Sequence, residues 1–411
     1  MRETASIVRP QSGRDSHRVT FVELFFDLVF VFAITQLSHA LIEHPSLPVL
    51  LQTLLLTVAL WWMWINTAWV TNWLHPEHPA VRGLLLSMMF AALLLGTAIP
   101  DAFGDGAVLF ALCYVVIEVG RSVFTAVALR RDRPENSLGF VRISIWQLAA
   151  ASLWIAGALL PDARGWLWLA AVALYSAGPS ARYALPGLGA TPVRVWHISG
   201  EHMAERAALF LIIVLGESII VTGTAFDDVP LDPVSISAFA AAFASTVLMW
   251  LLYFNHRERR GSEYISSTDA NGAIGRLAYT YIHVLLVIGI LLTAVADELV
   301  LLHPLGEHEE GHATTGSSPW VAGLICGAAA VYLIGNALFT WAVKGPMLVS
   351  HYLGAAALAA LFALHPLLSP LALNWLSNLV LLVVVIADQL LWRRLGREGE
   401  VRTADEVDET I

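Results

Sequence analysis

Residues 22–36 read VELFFDLVFVFAITQ, an apolar run that carries two carboxylates, Glu23 and Asp27, one helical turn apart. In a soluble helix these acids would face water. In a bilayer a carboxylate near a helix centre costs about 2.5–3.5 kcal/mol and faces a bundle interior or cavity. The surroundings of the run decide which case holds. Of the 411 residues, 57% are hydrophobic and only 14% are charged, against roughly 25% charged in soluble domains. The mean hydropathy is +0.68. Apolar runs of about 20 residues, enough to cross a hydrocarbon core, recur along the whole chain. The chain is therefore expected to be an all-α integral membrane protein, with the lipid bilayer as its principal partner.

Working outward from that first run, about 12 transmembrane helices are expected. They lie near 20–41, 47–71, 81–100, 106–129, 138–160, 165–184, 204–224, 233–255, 274–300, 319–343, 346–364 and 371–392. The sixth is shortened by Pro179 and Pro186. The basic residues test this count. With the N-terminus inside, 21 of the 23 lysines and arginines fall on the cytoplasmic side; Arg164 falls outside and Arg121 lies within a span. That alternation follows the positive-inside rule and predicts a multi-pass protein of the cell membrane, the bacterial inner membrane, with both termini cytoplasmic. No signal peptide is evident in MRETASIVRPQSGRDSHR.

The two halves of the chain resemble each other. LWWMWIN (60–66) compares with LMWLLYFN (248–255), LLGTAIPD (94–101) with LLTAVAD (291–297), and CYVVIEVGRSVFTAVAL (113–129) with VYLIGNALFTWAV (331–343). In the same register FFDLVFVF (25–32) falls against LGESIIVT (215–222), so Asp27 meets Glu217. Six helices per half give two parallel six-helix repeats, an arrangement many transporters use. The expected segments are a cytoplasmic N-terminal stretch (1–19), a first repeat (20–184), a cytoplasmic linker (185–203), a second repeat (204–392) and a polar cytoplasmic tail without structure (393–411).

The intramembrane polar residues are the candidate site. Asp27 and Glu217 lie well inside their spans and are expected to face something polar. Glu23 and Glu205 sit nearer the cytoplasmic ends, where pairing with Arg18 or Arg206 and anchoring at the headgroups serve equally well. Glu118 and Arg121 form an i,i+3 pair, matched in the second half by uncharged Asn336 and Phe339. Either the pair orients Asp27 or Glu217, or it is a structural salt bridge. His283, Asn66, Asn255, Gln147 and Asn378 could add polar lining.

Several chemistries are excluded. The two cysteines, Cys113 and Cys326, lie inside apolar runs, so neither a disulfide framework nor a CxxC metal site is available. HISGEHMAER (197–206) fits neither HExxH nor HxxEH: His197 and His202 are five apart, poorly placed around a helix for one ion. His202 with Glu205 and Arg206 is at best a weak ion site. The outer loop with His303, His308, His312, Glu307, Glu309 and Glu310 reads as a solvated acidic loop rather than a metal site. No nucleotide-binding or nucleophile-elbow motif occurs, so no cofactor, catalytic residue, metal or nucleic-acid partner is implied. The tryptophans of the second span, Trp61, Trp62, Trp64, Trp69 and Trp73, suit an interfacial belt at its ends and packing at its centre.

VTFVELFFDLVFVFAITQLSH (19–39) together with HMAERAALFLIIVLGESIIVTG (202–223) resembles the bacterial low temperature requirement A (LtrA) family over nearly the whole chain. On that resemblance the signatures fall on Glu23, Phe26, Asp27, Phe30 and Thr35, and on His202, Glu205, Arg206, Leu215, Gly216, Glu217 and Ser218. It implies a multi-pass membrane protein, linked by the family's name to growth in the cold. The first motif is also similar to six-helix repeats of a potassium-channel family that begin Phe-Ser-Asp. Here the Ser is Phe26 and the second half has Leu-Gly-Glu, so channel function does not carry over. The resulting expectation is a protein that translocates an ion or small solute along a polar path at the repeat interface. Asp27 and Glu217 line that path, supported by Glu118, Arg121, Glu23, His202, Glu205 and Arg206. Two alternatives stay open: a membrane-embedded enzyme acting on a lipid or lipid-linked substrate, and a sensor or scaffold that transports nothing.

Overall fold

The computed structural model describes residues 6–9, 18–196, 198–227, 229–268, 271–306 and 316–408; for Val193, Arg194 and residues 396–408 only the backbone is described. Among these the chain is helical with no strand. The helices are α1 (Phe21–Glu43), α2 (Leu47–Trp73), α3 (Pro79–Ala98), α4 (Ala107–Leu129), α5 (Pro134–Leu159), α6 (Arg164–Ala177) and α7 (Gly200–Asp227). They continue with α8 (Pro233–Phe254), α9 (Arg257–Ser267), α10 (Asn271–Ile274), α11 (His283–Leu302), α12 (Pro319–Ala342), α13 (Val349–Phe362) and α14 (Pro370–Asp408).

Local chemistry sets many of the starts. Ser46, Asp232 and Ser318 are extended N-caps whose side chains accept first-turn N–H groups, each with proline at the start of the helix. Between α10 and α11 the chain forms a π-helical turn, Gly275–Ile282. Such turns displace backbone hydrogen bonds, and here the Trp61 indole N–H donates to the Thr280 carbonyl at 2.7 Å.

Ten helical stretches among the described residues are long and apolar enough to cross a membrane. The sixth and eleventh expected spans are the two that fall short. α6 and α13 have 14 residues each, about 21 Å at 1.5 Å per residue, against a hydrocarbon core of about 30 Å. α6 stops because Gly178 and Pro179 follow it. The absence of a Cβ at Gly178 lets Tyr183 fold back: a Cβ there would sit 2.5 Å from the Tyr183 ring. Arg182 and Tyr183 hold left-handed φ values of 53° and 50°, uncommon for residues other than glycine. α9 was not anticipated from hydropathy, and α14 extends past the expected end of the last span.

The helices are dressed for lipid. On α1 the exposed large apolar residues are Phe21, Phe25 and Leu28, while Glu23, Phe26, Asp27, Phe30 and Ile34 are buried. The chain divides into two compact units. One comprises Met1–Glu217 with Gly261–Leu291; the other comprises Ser218–Arg260 with Leu292–Ile411. In the first unit α3 packs on α1 and α4, and α5 on α4 and α6; in the second α12 packs on α13 and α8 on α14.

Close packing in the first unit depends on Gly200 at the start of α7, where a Cβ would lie 2.6 Å from the Ile265 carbonyl oxygen. A backbone neighbour cannot rotate away. Gly200→Ala is expected to lower unfolding stability by about 1–3 kcal/mol, measured by thermal unfolding in detergent. Gly120→Ala, with open space around the new Cβ, is expected to cost nothing.

Candidate functional site

The acids of the opening run meet the start of α7. Arg206 Nη2 donates to Asp27 Oδ1 at 2.6 Å, and its Nη1 lies 3.3 Å from Glu23 Oε1. The Trp64 indole N–H also donates to Asp27 Oδ1, at 2.7 Å, and the Arg206 guanidinium lies 5.6 Å from the Trp64 ring. Glu23, Asp27, His202 and Arg206 are all fully buried. Glu23 is thus no headgroup anchor. Its Oε2 accepts from the Thr20 backbone N–H and hydroxyl, both at 2.9 Å, closing the first turn of α1.

His202 Nε2 sits 2.9 Å from Glu23 Oε1, and its Nδ1 sits 3.1 Å from Asn72 Nδ2. The Ser199 backbone N–H donates to Asn72 Oδ1 at 2.7 Å. That bond turns the amide so that its NH2 faces the histidine. Nδ1 therefore accepts, which leaves the ring neutral, while Nε2 faces both Glu23 Oε1 and the Arg9 Nη1 donor, each at 2.9 Å. Arg9 completes the cluster from the N-terminal segment. Its backbone N–H donates to the Trp73 carbonyl at 2.8 Å, Nη1 to the Thr71 carbonyl at 2.9 Å and Nη2 to the Arg18 carbonyl at 2.7 Å. Burial pulls its pKa below the ordinary arginine value, despite the nearby Glu23. With His202 neutral, two carboxylates and two guanidiniums balance.

The other expected residues lie apart. Glu205 is half-buried and accepts from the Val19 backbone N–H at 3.3 Å. Glu217 is buried and accepts from the Thr35 hydroxyl, two turns further along α1 than Asp27. Asp27 and Glu217 therefore have separate partners. The Glu118–Arg121 pair closes at 2.6 Å, but its further bonds run to α2, α5 and α6. Arg121 Nη1 donates to the Met63 carbonyl at 2.9 Å and the Thr67 hydroxyl at 3.0 Å; Gln147 donates to Glu118 at 3.0 Å, and so does the Tyr175 hydroxyl. The pair orients neither Asp27 nor Glu217. Among the described residues no group of three or more His, Cys, Asp or Glu could hold a metal. His197 and residues 307–315 lie outside the described residues.

Beside Arg121 the first unit opens into a cavity. Trp62, Trp69, Trp73, Phe140, Tyr183 and Trp196 form its walls, and Arg121, Arg182 and Arg276 line it; no acid is among its lining residues. The aromatic wall is packed in series, Trp73 standing 5.4 Å from Trp196 and 5.5 Å from Phe140 between ring centroids. Trp69 is fixed by donating to the Thr280 hydroxyl at 3.0 Å, and burial raises the Tyr183 phenol well above its ordinary pKa, so it stays neutral. Neither Asp27 nor Glu217 lines this cavity.

The profile of the bacterial low temperature requirement A protein (LtrA) matches residues 18–386. The chain belongs to the LtrA family. It is a multi-pass membrane protein of that family, similar to the uncharacterized protein RA0937 of Rhizobium meliloti (strain 1021), with 35% identity over 393 residues that cover 95% of this chain and 93% of the relative. No solved structure matches it.

The geometry gives the two LtrA motifs a joint meaning: each is the other's partner. Glu23 and Asp27 of the first bind His202 and Arg206 of the second, and Thr35 binds Glu217. Sequence reasoning missed Arg9 and Asn72. Arg9 lies in a polar tail that gives no sign of docking, and Asn72 is a lone amide among tryptophans.

Removing one partner of a buried ion pair strands the other charge, at a cost of about 3–5 kcal/mol. Asp27→Asn and Arg206→Gln are each expected to destabilise the protein on that scale. The double variant is expected to lose clearly less than the sum. Unfolding measured in detergent for the four proteins of the cycle checks this; additive losses would mean that the pair is not coupled.

Proposed function

We propose that this LtrA protein translocates a small amphipathic anion across the cell membrane and binds it in the aromatic cavity of the first unit. The observation that carries the reading is a cavity with six aromatic walls, three arginines and no acid among its lining residues. Binding sites are typically concave and mostly apolar with a few convergent polar groups. Guanidinium groups supply bidentate bonds to carboxylate, sulfonate or phosphate, and flat indole faces suit an apolar body. Arg182 is exposed and has no side-chain partner among the described residues, so it is available to an anion. Arg121 Nε is buried without a partner.

Duplication of a six-helix unit is part of the reading. On this view α7, α8, α11, α12, α13 and α14 repeat α1–α6, and the short helices α6 and α13 count as spans, giving twelve. Equivalent neighbours support it: α4 with α5 and α12 with α13, α5 with α6 and α13 with α14, α2 with α6 and α8 with α14, α2 with α4 and α8 with α12. So does a matched bond, in which Tyr114 of α4 donates to the Ala59 carbonyl of α2 and Tyr332 of α12 to the Met249 carbonyl of α8. Cytoplasmic termini put Arg182 and Arg276, and hence the cavity mouth, on the cytoplasmic side. The α1–α7 motif cluster serves as a closed latch, and Glu118–Arg121 links the cavity to α5 and α6.

Two measurements test the reading. With Cys113 and Cys326 replaced by alanine, Ala181→Cys is expected to react with a membrane-impermeant maleimide only from the cytoplasmic side, and Asp105→Cys only from outside; the reverse pattern would invert the orientation. In the second, naphthalene-2-sulfonate is titrated against purified protein by tryptophan quenching, then offered to proteoliposomes under proton, sodium and potassium gradients. Saturable quenching and gradient-dependent uptake are expected, with affinity weakened about tenfold or more in Arg182→Gln/Arg276→Gln, since a hydrogen bond to a charged group is worth about 1.5–3 kcal/mol. Binding without uptake would reduce the protein to a receptor. No quenching by this probe would remove the anion site.

A further inference from the structure

The second unit contains a buried carboxylate of a different kind. Asp297, on α11, is 2% exposed. Its Oδ1 accepts from Asn374 Nδ2 at 2.8 Å and lies 3.3 Å from the Ser245 hydroxyl, while Oδ2 has no partner among the described residues. Among the described residues, no other charged side chain lines the cavity beside it. Asp388, in the same unit, shows the contrast. It is paired with Arg257 and accepts from the Ser350 hydroxyl at 3.0 Å.

The surroundings of Asp297 hold more acceptors than donors. Ser245 has one hydroxyl hydrogen, yet it faces Asn378 Oδ1 at 3.0 Å, Asn374 Oδ1 at 3.4 Å and the Ala241 carbonyl at 3.1 Å as well as Asp297. The Asn378 NH2 is turned away to the Ala241 carbonyl at 2.8 Å, which leaves its oxygen pointing inward. Thr293, one turn before Asp297 on the same face of α11, has a buried hydroxyl with no partner. These oxygens from α8, α11 and α14 line one small cavity with room for about one water-sized particle.

An oxygen-rich pocket with one unopposed negative charge is completed by a single positive charge. A divalent ion would call for further carboxylates, and none lines this cavity. We infer that Asp297, Thr293, Asn374, Asn378 and Ser245 form a binding site for one dehydrated alkali cation within the second unit. The ion fills the acceptor excess and neutralises Asp297. The site stands whether or not the first unit moves an anion, because cation binding is read on the isolated protein in detergent.

The test is thermal unfolding of the purified full-length protein at pH 8 and constant ionic strength, with choline chloride exchanged stepwise for sodium or potassium chloride. Saturable stabilisation by one of the two ions over choline is expected, as for any ligand that binds only the folded state; which ion acts identifies the cation. Asp297→Asn is expected to abolish the dependence. Thr293→Val, which keeps the side-chain shape and removes one oxygen, is expected to weaken the half-saturating concentration about tenfold, and it serves if Asp297→Asn does not fold. Asp232→Asn, at an exposed helix cap, is expected to leave the dependence intact. Overturning results are equal stability in sodium, potassium and choline, or a cation dependence unchanged in both Asp297→Asn and Thr293→Val. Insensitivity to all three salts with stabilisation on lowering the pH would mean that a proton occupies Asp297, and would equally reject the cation.

Discussion

Arg206 lies between two acids, and the packing of the first two motif helices follows from that. In a bilayer no water waits to receive a separated charge, so each buried carboxylate needs its partner within the protein. Glu23 and Asp27 both face inward from α1, and Arg206 of α7 reaches both. Trp64 then orients Asp27, Asn72 keeps the His202 ring neutral, and Arg9 brings the N-terminal segment onto α2. Two acids and two arginines form one closed set in which any single loss leaves a stranded charge.

Closed networks and open cavities ask for different chemistry. The α1–α7 cluster pairs its charges with one another, as does Arg257 with Asp388, although Asp27 Oδ2, Arg206 Nε and Arg257 Nε make no hydrogen bond among the described residues. A network in which opposite charges balance fixes geometry first. The arginines of the aromatic cavity are only partly satisfied, and the oxygens around Asp297 lack donors. The two proposed sites differ from the paired clusters in net charge: arginines without an acid line one, and a carboxylate without a cation lines the other.

Much of the fold was legible because lipid imposes length and composition on every span. The exceptions have local causes. α6 ends early at Gly178 and Pro179, and α13 starts only after the turn at Lys344, whose φ is 54°. The π-helical turn at Gly275–Ile282 was invisible to hydropathy, since it changes hydrogen bonding without changing composition. Within the site, the exceptional residues could be read and their partners could not. Glu23 and Asp27 stand out in any apolar run, but His202 and Arg206 lie almost 180 residues away. Asp297 looked like the counterpart of Asp101 at a helix end. Asp101 is indeed exposed there and accepts from the Gly106 N–H at 3.0 Å, whereas Asp297 is buried by α14 residues 77 and more positions downstream.

Arg121 is where the closed and open chemistries touch. Its Nη groups hold Glu118, Thr67 and the Met63 carbonyl, while the same side chain lines the aromatic cavity. An anion entering that cavity competes with Glu118 for one guanidinium. Glu118 cannot be left alone, because Gln147 and Tyr175 supply only neutral donors to a carboxylate in a low-dielectric interior. On the proposed reading, occupancy of the cavity would act on α4, α5 and α6 together through this one cation. The shortness of α6 and the left-handed turn at Arg182 and Tyr183 place both of those residues at the cavity itself.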